Sequence, residues 1–177
     1  HTIPRPGEFG YDTWSKNSYE KLGGANAWSG LSIDQARGIV FAATGAPAFD
    51  FYGAEREGEN LFANSVIAMD AATGKYKWHF QVSHHDLWDY DLPSPPNLVT
   101  LDVNGKKVDA VVQISKQGLI FALDRETGKP LFPVEERPVP GSTIPGEKTW
   151  PTQPFQPRFQ PLVQQAFSDS IITNISV

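Results

Sequence analysis

Nine consecutive residues, Ser83-His84-His85-Asp86-Leu87-Trp88-Asp89-Tyr90-Asp91, bring together two imidazoles, three carboxylates and two large aromatic rings. Carboxylates at this density suit three kinds of chemistry: a general base, oxygen ligands for a hard cation, or the acid and base of a glycoside hydrolase. For the last, Asp86 and Asp89 would be the acid pair, but the separation such a pair needs is not written in a sequence. His84 and His85 are poorly placed to share one metal ion. Neighbours on an extended chain point to opposite faces, so only one imidazole could reach a given pocket.

The rest of the chain must hold this stretch in place. Its 177 residues suffice for one domain with a sizeable core. The formal net charge of -5, with both signs interspersed, leaves no basic face for nucleic acid. No apolar run is long enough to cross a bilayer. The absence of Cys excludes disulfides and thiolate metal sites. The chain starts at His1-Thr2-Ile3-Pro4 with neither an initiator Met nor a signal peptide, and so reads as a processed form or an internal fragment. Fifteen Gly and 15 Pro with few helical patterns favour an all-β class.

Residues 1–27 read as a loop-rich lead-in, with Trp14 and Tyr19 as packing aromatics. Strands are expected at 28–33, 39–43, 65–70, 76–82, 97–103, 107–115 and 118–124, where β-branched and aromatic residues run between turn signals. Thr44 to Asn60 is a long acidic loop, and Asn104-Gly105 marks a tight hairpin. Residues 133–177 read as a Pro-rich loop followed by the start of a further element, with Asp169 able to cap a short helix. Inside 28–132 a unit repeats. Ala68-Met69-Asp70-Ala71-Ala72-Thr73-Gly74-Lys75 returns as Ala122-Leu123-Asp124-Arg125-Glu126-Thr127-Gly128-Lys129, with a looser copy at Ser32 to Phe41. Strand, Asp-initiated turn with a late Gly, and strand is the pattern of β-propeller blades. Three copies suggest roughly three to four blades, too few for most closed propellers, so the blades of a longer parent chain are expected as partners.

With the repeat and the acidic stretch together, the chain resembles the pyrroloquinoline quinone (PQQ) dependent dehydrogenases, and most nearly their glucose dehydrogenase branch. The resemblance lies in His84-His85-Asp86-Leu87-Trp88-Asp89, Lys116-Gln117-Gly118, Asp124-Arg125-Glu126-Thr127-Gly128-Lys129, Gly23-Gly24-Ala25-Asn26-Ala27-Trp28, Asn60-Leu61-Phe62-Ala63-Asn64-Ser65 and Pro151-Thr152-Gln153-Pro154. It implies a partial, all-β, eight-bladed quinoprotein propeller spanning 1–177. It also implies oxidation of a sugar or alcohol hydroxyl, with electrons passing to a quinone or cytochrome acceptor, and a periplasmic location.

Residue by residue, the resemblance makes Asp89 the catalytic base that takes the hydroxyl proton. Lys116, 27 residues on, is implied to hydrogen-bond the quinone oxygens, and Trp28 to form the floor beneath the PQQ ring. Asp86 then orients the loop, Asp91 caps a turn before Pro93, Trp88 supports Asp89, and Trp78 packs between blades. One departure concerns calcium. Alcohol-oxidising members carry an Asn ligand where this chain has Ala46, which leaves Asp89 as the one side-chain ligand this chain is expected to offer Ca²⁺. Asn60 and Asn64 read as turn and packing residues, and Trp150, Thr152 and Gln153 as the edge of the mouth. The fragment alone is expected to be inactive. Two readings compete: a PQQ-like propeller serving as a binding scaffold, which has no use for Asp89, Lys116 and Trp28 at these spacings, and the glycoside hydrolase. A nucleotide-binding dehydrogenase finds no Gly-x-Gly-x-x-Gly run.

Overall fold

The computed structural model describes residues 1–173 and 175. Among the described residues, nine strands form three antiparallel sheets. The first sheet runs β1 (Leu31–Asp34), β2 (Ile39–Ala43), β3 (Ser65–Asp70) and β4 (Tyr76–Gln81), in that order. The second runs β5 (Asn97–Val103), β6 (Lys106–Ile114) and β7 (Ile120–Asp124), and a ribbon pairs β8 (Glu135–Pro138) with β9 (Thr152–Phe155). Up-and-down order in a four-stranded sheet, with a second sheet stacked on its face, is propeller-blade geometry.

The repeated turns explain why these strands form hairpins. Asp70 Oδ1 accepts from the backbone N of Ala72 (3.2 Å) and Thr73 (2.9 Å) and from Thr73 Oγ1 (2.7 Å). Asp124 Oδ1 does the same with Glu126, Thr127 and the Thr127 hydroxyl at 3.1, 2.8 and 2.7 Å. Each turn closes on a glycine in the left-handed region, Gly74 at φ 70° and Gly128 at φ 71°. Asn104 (φ 53°) and Gly105 (φ 78°) make the two-residue hairpin between β5 and β6.

The fold class is as the repeats suggest, but the three turns occupy only two blades. The Asp34 and Asp70 turns both belong to the first sheet, one joining β1 to β2 and the other β3 to β4. In the second blade the outer strand shrinks to a single bridge, Leu123 to Pro130. Pro130 stands where Tyr76 stands in the first blade, and proline cannot donate to a ladder. Two further differences concern extent. The strand expected to begin at Trp28 begins at Leu31, leaving Trp28 in the preceding turn. The Pro-rich segment carries β8 and β9, which tolerate Pro138 and Pro154 because both strands of a ribbon are edges. Asp169 lies within a 3-10 turn, Asp169–Ile171, that Ser168 precedes without a side-chain cap; Asn174, Ser176 and Val177 lie outside the described residues.

The two blades share one core. Phe41, Val66, Ala68 and Trp78 of the first sheet meet Val111, Phe121 and Leu123 of the second. Trp78 lies against the glycine of the second blade's turn, where a Cβ on Gly128 would fall 2.5 Å from its ring, and its Nε1 donates to Arg125 O at 3.3 Å. Buried Asp34 accepts from Arg37 (2.9 Å) and, across the blade boundary, from Arg125 (3.0 Å). Trp14 is a packing residue, its Nε1 donating to Leu61 O at 2.5 Å.

Candidate active site

The acidic stretch leaves the first blade where β4 ends. Val82 N donates to Asn64 O (2.8 Å) and His85 N to Glu59 O (3.0 Å), tying the loop to the connection that precedes β3. Asp86, almost fully buried, organises the turn that runs on through Tyr90. Its Oδ1 accepts from Trp88 N (2.9 Å), and its Oδ2 from Tyr90 N (2.6 Å) and Asn64 Nδ2 (2.8 Å). Burial outweighs these donors and pushes its carboxyl up to about 6. The two backbone N–H groups it holds flank Asp89, which sits in the left-handed region at φ 59°. A non-glycine residue there carries strain that the surrounding contacts must offset.

Held this way, Asp89 meets Lys116. Its Oδ2 lies 2.6 Å from Lys116 Nζ, on the loop leaving β6. Asp91 joins them: its Oδ2 is 3.5 Å from the same ammonium, and its backbone O accepts from Lys116 N at 3.1 Å. The hydrogen bond to Asp89 raises the Lys116 pKa against the opposing effect of burial, and Asp91 adds to it. Burial and the charges of Asp89 and Asp91 raise the Asp50 carboxyl nearby. Asp91 Oδ1 in turn accepts from Ala46 N at 2.6 Å. A Cβ on Gly45 would collide with Asp91 Oδ1 and lie 2.9 Å from Trp28 Nε1, so only glycine lets this carboxylate and the indole approach. The three residues singled out by sequence therefore gather in one place. Trp28 keeps 54% of its surface exposed, and the Lys116 and Asp89 side chains keep 43% and 28%. Asp91, read as a turn cap, is instead part of this cluster, because its carboxylate turns back to the Ala46 N–H rather than onto its own loop.

Beside Lys116 opens a cavity of about 450 Å³, lined in part by Trp88, Tyr90, Gln153 and Phe155. Trp88 and Tyr90 stack with centroids 5.4 Å apart. Gln153 borders the cavity and clamps the loop, accepting from His84 N (2.8 Å) and donating to His84 O (2.6 Å). The imidazoles diverge. His84 lies between Glu59 (3.0 Å) and Glu136 (3.2 Å), which raise its pKa against the opposing effect of burial. His85 Nδ1 meets Gly58 O at 2.7 Å, and its ring lines a separate cavity of about 270 Å³ together with Trp150. Neither lines the cavity beside Lys116.

This cluster lies within a family match. Residues 2–176 fit the model of the glucose/ethanol/alcohol dehydrogenase β-propeller domain that carries PQQ. The chain belongs to the PQQ-dependent dehydrogenase family. It is 47% identical over 132 residues to a probable quinate dehydrogenase (quinone) of Xanthomonas campestris pv. juglandis, matching 73% of this chain and 17% of that protein. It is 40% identical over 131 residues to the quinoprotein glucose dehydrogenase of Escherichia coli K12, matching 73% of this chain and 16% of that one. Its fold superposes with a TM-score of 0.68 on a quinohemoprotein alcohol dehydrogenase of Pseudomonas putida HK5, at 27% identity, covering 78% of this chain and 23% of that one. The chain thus spans about a fifth of the length of such relatives.

The quinone fits what this PQQ-family segment presents. An exposed indole face stands ready for stacking. Lys116 has three N–H donors, two of them directed to Asp89 and Asp91, which leaves one for an acceptor on a bound group. A hard cation fits less well. Ala46 supplies no side-chain oxygen, its N–H is taken by Asp91, and Asp89 is engaged by an ammonium. Among the described residues no group of three or more His, Cys, Asp or Glu side chains converges as a metal site. Two carboxylates fall short of the six to eight oxygens calcium takes. Asp89, the single side-chain ligand expected here, does not by itself complete a calcium site.

Proposed function

We propose that this segment forms part of the active site of a PQQ-dependent dehydrogenase that oxidises a hydroxyl of a sugar or alcohol. The observation that carries the reading is the Asp89–Lys116 pair, 2.6 Å apart, beside the exposed Trp28 in a segment with this family match. When bound, PQQ supplies a two-electron acceptor for hydride from the carbinol carbon. Asp89 accepts the hydroxyl proton on its carboxylate as the carbonyl forms. The Lys116 ammonium, 2.6 Å away, holds that carboxylate in place. The remaining N–H of Lys116 would donate to a cofactor oxygen and favour the negative charge that collects there. The Trp28 indole would support the flat ring. The two electrons then leave for a quinone or cytochrome, and the enzyme works outside the cytoplasmic membrane. No step is assigned to calcium, which would need further oxygen donors.

The test uses the full-length protein carrying this segment, loaded with PQQ with and without Ca²⁺. Dye reduction is followed with glucose, other aldoses and simple alcohols. Reduction with at least one is expected, and none with any would refute the dehydrogenase reading. Asp89→Asn should lose about 10²-fold or more of turnover while still binding PQQ, the scale of a missing general base. Unchanged turnover would refute the base assignment.

A further inference from the structure

Arg56 is fully buried at the end of the 3-10 turn Ala54–Arg56. Its guanidinium reaches three separate segments. Nη1 donates to Asn60 Oδ1 (2.8 Å), while Nη2 donates to Phe49 O (3.0 Å) and to the backbone O of Asp86. Asn60 Nδ2 returns a bond to Arg56 O at 2.7 Å. Among the described residues no carboxylate lies within ion-pair distance of Arg56. The acids that compensate its charge at longer range are Asp86, Asp50 and Glu147. Burying a guanidinium on these terms is costly, and an apolar side chain of similar volume would fill the space at less expense. What arginine adds is a rigid fork of donors that holds two backbone carbonyls and the Asn60 amide in one arrangement.

Asp86 is where that fork meets the site. Its carbonyl is held by Arg56, and its carboxylate holds the N–H groups on both sides of Asp89. We propose that Arg56 is a positioning residue for the Asp89–Lys116 pair, acting through Asp86. The role rests on the functional reading of that pair, but the geometry it asserts does not require the cofactor. Moving Asp86 O moves both anchors of a residue held at φ 59°, and with them the carboxylate that meets Lys116 at 2.6 Å.

The readout is the reactivity of Lys116 toward an amine-acylating reagent, followed by mass spectrometry in the full-length apo protein. The exposed Lys107 serves as internal standard. An ammonium held by a carboxylate reacts slowly. Asp89→Asn sets the scale for a released Lys116, and a gain of about three- to tenfold relative to Lys107 is expected, tenfold corresponding to one pKa unit. Arg56→Met should give a gain of the same size, and none beyond it in the Asp89→Asn background. General loosening would instead add a further gain in the Asp89→Asn background. Asp86→Asn, which keeps the carbonyl and the side-chain volume, should move Lys116 in the same direction and stands in if Arg56→Met does not fold. A folded Arg56→Met, or failing that Asp86→Asn, with the wild-type ratio would overturn the proposal. So would an Asp89→Asn protein with unchanged Lys116 reactivity, because the pair itself would then be absent. Turnover is not read, so the dehydrogenase reading can fail while this one stands, and the reverse.

Discussion

Replacing Asp86 by Asn should change the pH dependence of stability. In the folded chain burial lifts this carboxyl to about 6, against an ordinary value of 3.8. A group whose folded-state value lies above its unfolded one binds its proton more tightly when folded. Stability therefore rises as pH falls through the window from about 6 to 3.8 and is lower above it. Two units amount to about 3 kcal/mol across the whole window, and the part between pH 7 and pH 5 is roughly 1–1.5 kcal/mol. Asparagine does not titrate. The stability of the wild type relative to Asp86→Asn should therefore improve by that amount when pH drops from 7 to 5. His79 and His85, whose pKa values burial lowers, and His84, which Glu59 and Glu136 hold up against burial, also titrate here. They are common to both proteins and cancel in the difference. Urea denaturation followed by tryptophan fluorescence at pH 5, 6 and 7 measures it. A difference constant to within about 0.3 kcal/mol across that range would show that Asp86 does not carry the charge burial is argued to penalise.

Two further outcomes concern the blade boundary. Gly74 and Gly128 occupy equivalent turns with nearly equal φ, but only Gly128 faces Trp78. Gly74→Ala should cost about 1 kcal/mol for the left-handed backbone, and Gly128→Ala a further 1–3 kcal/mol for overpacking, both read by urea denaturation; equal costs would remove the interlock. For Asp34, burial raises the carboxyl but hydrogen bonds from Arg125 and Arg37 outweigh it and hold the value near 2. The folded value lies below the unfolded one, so its contribution is present above pH 4 and lost as pH falls toward 2. Asp34→Ala should cost about 3 kcal/mol at pH 7 and much less at pH 2.

Much of the fold was legible because local signals agreed with it. The strands Ile39–Ala43, Ser65–Asp70 and Asn97–Val103 begin and end where turn residues bound β-branched runs. Asp-x-x-Thr-Gly specifies its turn through bonds that stay within five residues, so its appearance in two blades could be read without tertiary information. The ribbon of Glu135–Pro138 and Thr152–Phe155 was not legible, since its strands are short, proline-bearing and held by partners distant in sequence. Chief among these is the Gln153 clamp on His84, 69 residues away. Arg56 left no local signal either. An arginine in an acidic loop reads as a surface charge, and its burial follows from three acceptors that only the folded chain assembles.

The site shows the same division at position 46. Compared by side chains, alanine there is a lost oxygen ligand, and the reading drawn from it is an incomplete cation site. The backbone of Ala46 nevertheless contributes. Its N–H holds Asp91 Oδ1 at 2.6 Å, Gly45 beside it admits both Asp91 and Trp28, and Asp91 Oδ2 faces Lys116. Position 46 thus helps set the second carboxylate beside the ammonium that Asp89 also meets. A backbone donor works with every side chain except that of proline, so the identity of the alanine does not reveal this contact. Asp91 misled for the complementary reason: an aspartate ahead of Pro93 fits a turn cap equally well, and only the return of the 44–60 loop over the acidic stretch decides between the two. Sequence thus identified the groups that carry charge and stacking surface, while their mutual orientation depends on backbone donors at Ala46, Trp88 and Tyr90 that residue types do not encode.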